Sequence, residues 1–312
     1  MNANTDIQYG VTERGSNWLF FTVIIVQIIV GIIVNVTVSI TNKDIPMNLL
    51  LLCTQIFAVF IPCYVYMKYK HVNVIKTLRL RPLKLKYAFL SLLLGIATQY
   101  IAQIFNLPIL ILLSLFGEIP PMPIEIPNNV HDLLITLGIV AIVPAVFEEI
   151  MVRGIIMSSY EKRGTKVGII ISAVFFGLLH MDIKNLFGPI VFGIVFGYIV
   201  IRTDSIFAGM IAHFANNGFA ILISFFYENY MEPISFMDTY LFVLVLFTVS
   251  SLLFIFIIGY FRNHAELKET SMTEVHTGRL RNAFINFPVL SIIILYIIFA
   301  VFEIVTIANG KV

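Results

Sequence analysis

The sequence predicts an all-α fold, a polytopic transmembrane helical bundle of about nine membrane segments. Three observations predict it. Of 312 residues, 59% are hydrophobic and only 12% charged, with a mean hydropathy of +0.95, more apolar surface than a soluble domain can bury. Apolar runs near the ~20 residues that cross a hydrocarbon core recur along the chain. Cationic and anionic connections alternate between those runs, as successive crossings require.

Taken in order, spans are expected near 17–40, 47–67, 87–116, 132–159, 167–181, 186–201, 205–227, 239–261 and 286–308. The first follows a polar stretch without a small-residue cleavage site, so it reads as a membrane helix and not as a cleaved signal peptide. The second holds Cys53 and Cys63, small apolar residues at no metal-binding spacing. The third is broken near Asn106-Leu107-Pro108, where a kink is expected. The fifth rises only about 22 Å, short of a ~30 Å core. Gly193 and Gly197 in the sixth stand at GxxxG spacing, a sign of close helix packing.

Charge sets the orientation. The loop Lys68 to Lys86 carries Lys68, Lys70, Lys76, Arg79, Arg81, Lys84 and Lys86, and 161–166 and Arg262 to Arg281 are also basic. The segment Gly117 to Asp132 carries Glu118, Glu125 and Asp132, and Tyr227 to Asp238 carries Glu228, Glu232 and Asp238, neither with a Lys or Arg. Nine spans then leave the N-terminus inside and the C-terminus outside. The Lys68–Lys86 loop reads first as a topology determinant and second as a surface for anionic lipid.

The stretch Pro144 to Arg153, PAVFEEIMVR, places Glu148 and Glu149 deep in an apolar run. An ionised side chain at that depth costs at least roughly 2.5–3.5 kcal/mol, so such residues face a cavity or a partner. Glu149 and Arg153 stand at i,i+4 in the favoured order for an ion pair. Glu148 is about 100° around the helix, where the same cation neutralises it less well. Glu149 therefore reads as a structural acid and Glu148 as a working one. The bland alternative is a salt-bridge cluster that only holds helices together. Pro144 removes the donor for the carbonyl of Val140, which a cavity or a neighbour must satisfy. His180 closes the short fifth span and is followed by Asp182, Lys184 and Asn185, tolerable at depth only against a cavity. His213 and Asn217 share one helix face and can donate to one oxygen, with Asn216 pointing elsewhere; interhelical hydrogen-bond glue is the alternative. Counted from the cytoplasmic helix ends, Glu148, His180 and His213 fall at a common depth of roughly 14–20 Å.

At these residues the sequence resembles the CPBP family, which includes type 2 CAAX prenyl proteases and Abi-type bacteriocin-processing membrane proteins. Glu148 to Arg153 is similar to its EExxxR motif, Phe176 to His180 to its FxxxH, and His213 to Asn217 to its HxxxN. The resemblance covers roughly 139–220. It implies a CAAX-protease-like core and an intramembrane endopeptidase with Glu148, His180, His213 and Asn217 catalytic and Glu149 and Arg153 supporting. On that basis 1–130 and 229–312 are flanking transmembrane helices around a core at 131–228.

Hydrolysis needs a base for water and donors for the oxyanion. Glu148 with His180 is expected to activate the water, and His213 with Asn217 to hold the oxyanion. Zinc on His180, His213 and Glu148 is the competing version, although there is no HExxH; the sequence leaves the choice between zinc and no cofactor open. The expected partners are a membrane-associated peptide or protein substrate and the lipid bilayer, with no nucleic acid. The expected location is the plasma membrane of a bacterium. A non-catalytic immunity or regulatory scaffold is the main rival, and a proton-coupled transporter, which calls for inverted repeats, is the second.

Overall fold

The computed structural model describes residues 10–43, 45–120, 125–231, 236–265 and 285–310, the side chains of 236–240 excepted. Most of the basic segment Arg262 to Arg281, and the acidic side chains of Glu232 and Asp238, lie outside the described residues. Long helices follow the predicted spans: α1 Glu13–Thr41, α2 Met47–Tyr69, α3 Leu85–Ser114, α4 Val130–Arg163, α5 Thr165–Leu179, α6 Phe187–Thr203, α7 Ile206–Tyr230, α8 Phe236–His264 and α9 Phe287–Ala308. Seven are long and apolar enough to cross a membrane; α5 and α6 are shorter apolar helices. The chain is an integral membrane protein. Helix α3 is helical from Leu85 to Ser114, Pro108 included.

Side-chain contacts give most of the helices a direction. The start of α1 meets the end of α4 through Glu13–Arg163 at 2.6 Å and Asn17–Tyr160 at 2.6 Å, so the two run antiparallel. Helices α2 and α4 run parallel, with Asn48 against Thr136 and Gln55 against Glu148. The ends of α6 and α8 meet where Arg202 donates to the Phe261 and Arg262 carbonyls, and Tyr87 at the start of α3 donates to His264. The start of α9 lies beside the start of α1, through Trp18 and Phe287. The helices therefore alternate in direction. Arg79 and Arg81 of the basic loop are held on this same face by Glu161 and Asp204. The loop is thus fastened to the end of α4 and the start of α7, and its backbone is too, through Ile206 N–H to the Arg79 carbonyl at 3.2 Å.

Two apolar clusters build the interior. One gathers Phe20, Ile24, Cys63, Met151, Ile155, Tyr160, Phe175 and Phe176 from α1, α2, α4 and α5, with Phe20 stacked on Phe175 at 4.7 Å. The other gathers Leu94, Phe196, Ala212 and Phe261 from α3, α6, α7 and α8. Close approach of α5 and α6 depends on Gly193, where a Cβ would stand 2.5 Å from the Ala173 Cα, the packing its GxxxG spacing predicts.

Among the described residues three stretches are π-helical: Thr54–Phe60 in α2, and Leu137–Ile142 and Ile150–Met157 in α4. The last two flank Glu148 and Glu149. Such turns are rare and gather at functional sites, because they rotate side chains out of the α-helical register.

Candidate active site

The acidic pair sits where the two apolar clusters meet. Glu148 is 6% exposed, Glu149 0%, Arg153 1% and His213 4%, so the group is cut off from the surface and must satisfy itself. Arg153 Nη1 donates to Glu149 Oε1 at 2.7 Å. His213 Nδ1 lies 3.1 Å from the same oxygen and donates to it, since a carboxylate accepts. The Arg153 guanidinium lies over the rings of Phe176 and Phe196, 4.6 and 5.6 Å from their centroids. Helix α7 reaches Glu149 because Gly209 has no side chain; a Cβ there would stand 2.6 Å from Glu149 Oε2. Glu149 is thus committed through Oε1 to Arg153 and His213, while its Oε2, under Gly209, has no hydrogen-bond partner among the described residues.

Glu148 is held differently. Its Oε1 accepts from Gln55 Nε2 at 2.6 Å. Its Oε2 is buried without a hydrogen-bond partner among the described residues and lies 3.9 Å from His213 Nε2. That distance is too long for a direct hydrogen bond. His213 therefore stands between the two acids, one ring nitrogen toward each.

His180 follows the last residue of α5. Its Nδ1 donates to the Phe176 carbonyl at 2.9 Å, which fixes the proton on Nδ1 and leaves Nε2 with a lone pair. The chain then turns sharply at Met181, whose φ of 48° lies in the left-handed region. His180 is exposed, and it approaches His213 through Phe176, whose ring lies edge-on to both imidazoles at 5.2 and 5.6 Å. Asn217 Nδ2 donates to the Val140 carbonyl at 3.0 Å, and its Oδ1 accepts from Asn216 Nδ2 at 2.9 Å. One Asn217 amide hydrogen is left. Asn216 does not point elsewhere, as expected from a 100° rotation, but braces Asn217 and is itself buried.

The polar loop after His180 is satisfied by protein partners and not, as expected, only by a cavity. Lys184 pairs with Glu303 at 2.8 Å, Glu303 accepts from Ile183 N–H at 3.2 Å, and Tyr296 donates to the Asp182 carbonyl at 3.1 Å. Asn106 donates to Asn185 and accepts from the N–H groups of Phe187 and Gly188. It caps α6, whose own flanking residue supplies no side-chain cap. Sequence reasoning missed Gln55, Asn106 and Glu303. Each is a polar residue inside an apolar run, and for Glu303 an intramembrane acid was signal enough.

Among the described residues no three His, Cys, Asp or Glu side chains gather closely enough to hold a metal ion. Glu148, His180 and His213 as placed do not make the zinc set considered for them, and no step below is routed through a metal.

Residues 130–219 match the family model described as type II CAAX prenyl endopeptidase Rce1-like. Over 94 residues the chain is 34% identical to the Bacillus subtilis (strain 168) protein named "Putative membrane peptidase YdiL", an alignment covering 30% of this chain and 38% of that relative. No solved structure matches the chain.

Proposed function

We propose, from the match of residues 130–219 to the type II CAAX prenyl endopeptidase model and the likeness to a membrane peptidase, that this chain is an intramembrane endopeptidase of the CPBP family in which Glu148 activates water. The observation that carries the reading is the asymmetry of the acidic pair. Each acid keeps one buried oxygen without a hydrogen-bond partner among the described residues; that of Glu149, which is paired with Arg153 and His213, is closed over by Gly209, whereas that of Glu148, which accepts only from Gln55, faces His213 Nε2.

In the proposed reaction Glu148 Oε2 takes a proton from a water as its oxygen attacks the peptide carbonyl. The lone pair on His180 Nε2 orients that water. The carbonyl oxygen gains negative charge and receives hydrogen bonds from His213 Nε2–H and from the remaining Asn217 amide hydrogen. This donation requires a proton on each His213 ring nitrogen; Glu148, Glu149, Arg153 and His213 then sum to zero charge before the attack, and the +1 left when Glu148 takes its proton is matched by the oxyanion. On collapse the C–N bond breaks and the amine leaves with the proton from Glu148. Substrates of the family's kind are membrane peptides such as prenylated C-terminal tails, pheromone precursors or bacteriocin leaders. The location that goes with them is a bacterial plasma membrane with the N-terminus in the cytoplasm, consistent with the fastening of the basic loop to the α1 start face.

The test compares membrane peptides from cells carrying the native chain and Glu148→Gln. Peptides that accumulate in the variant are incubated with reconstituted protein, and new termini are read by mass spectrometry. Cleavage by the native chain and none by Glu148→Gln is expected. Equal cleavage by both removes the assignment.

A further inference from the structure

We propose that Gln55 is a positioning residue for the reaction: its amide, reaching from α2 outside the family-matched segment, holds Oε1 of Glu148 so that Oε2 alone is presented to the attacking water. The inference rests on the proposed function and deepens it.

Three observations support it. First, the contact is short, 2.6 Å, and charge-assisted hydrogen bonds are the strong ones. An ionised carboxylate only accepts, so the amide must turn Nε2 toward Glu148. Second, this orientation has a cost. Gln55 Oε1 is left buried without a hydrogen-bond partner among the described residues. A buried orphan acceptor is unusual, and its presence indicates that the contact to Glu148 outweighs it. Third, the backbone is shaped for the contact. Gln55 lies in the π-helical turn Thr54–Phe60, and the seam between α2 and α4 is pinned beside it by Phe60 stacked on Phe147 at 4.7 Å and by Asn48 donating to Thr136.

The other charged and titratable groups around Glu148 are Glu149, Arg153 and His213. Arg153 and the Nδ1–H of His213 are engaged by Glu149 Oε1. Without Gln55 the Glu148 carboxylate can rotate and offer either oxygen, so productive water geometry becomes one arrangement among several.

The experiment uses full-length reconstituted protein and, as probe, a synthetic copy of the peptide cleaved fastest in the Glu148→Gln accumulation assay. Gln55→Leu removes the amide at similar volume, and Gln55→Glu keeps the shape but donates only when its carboxyl carries a proton. Expected for Gln55→Leu is a kcat about ten- to a hundredfold lower with KM within about twofold, measured at a temperature where the variant is still fully folded. Expected for Gln55→Glu is a kcat that recovers toward the native value as pH is lowered. A native kcat in Gln55→Leu, or a loss that tracks unfolding or falls equally on KM, overturns the positioning role while Glu148→Gln stays inactive. Absence of cleavage by the native chain removes the function and this inference with it.

Discussion

The amide of Asn217 donates to the carbonyl of Val140 at 3.0 Å, and Val140 is the residue whose α-helical donor is missing because Pro144 has no N–H. A defect in one helix is thus repaired by a side chain of another. The repair also fixes the rotation of α7, since His213 lies one turn before Asn217 on the same face.

From this pairing follows a prediction with an internal control. Asn217→Leu should leave the Val140 carbonyl unsatisfied and cost about 1–3 kcal/mol of stability. Adding Pro144→Ala returns a backbone donor and should recover most of that stability, read by thermal unfolding in detergent. Cleavage should stay lost in the double variant, because the amide hydrogen proposed for the oxyanion is still gone. Recovery of both would reduce Asn217 to a helix brace.

The pair Glu149–Arg153 makes a second prediction. Both side chains are 0% exposed, and removing one partner of such a pair strands the other. Arg153→Met should cost about 3–5 kcal/mol. The double variant Glu149→Gln with Arg153→Met should unfold at a higher temperature than Arg153→Met alone, although His213 loses its ionised acceptor. Unfolding temperatures of the two variants decide it.

Much of this was legible in the sequence because the bilayer makes polar residues conspicuous. The spans follow from length and hydropathy, and the Glu149–Arg153 ion pair follows from their i,i+4 spacing. The need of Val140 for a partner is written in Pro144. What was hidden depends on helices distant in sequence. Gln55 has no spaced companion in α2, so nothing local marks it. Asn106 reads as part of a helix break and is in fact a cap for α6. The π-helical stretches are invisible to a 100° periodicity, which is why Gln55 falls outside any face drawn by that rule.

A third prediction concerns metal. Glu148 and His213 are close, but His180 reaches His213 only across the Phe176 ring, and Gln55 already occupies one Glu148 oxygen. Prolonged chelation of reconstituted protein should therefore leave the rate of peptide cleavage unchanged. Loss of the rate on chelation, with return on adding Zn2+, would show that the loop bearing His180 moves to complete a three-ligand set.

That loop is where α9 enters the argument. Glu303 binds the Lys184 ammonium at 2.8 Å and the Ile183 N–H at 3.2 Å, and both lie within four residues of His180. Glu303→Ala removes a partner from each, leaving a partly buried cation and a backbone donor to find others. The apolar cluster built from α3, α6, α7 and α8 does not involve this corner, so unfolding should shift little. Loosening should instead be local: faster proteolytic cutting after Lys184, and cleavage of the substrate peptide slowed about tenfold, the cost of a small misplacement at the reacting atoms. Glu303→Gln keeps the acceptor for Ile183 N–H but not the charge, and should fall between the two. If Glu303→Ala cuts and cleaves like the native chain, α9 has no part in holding His180.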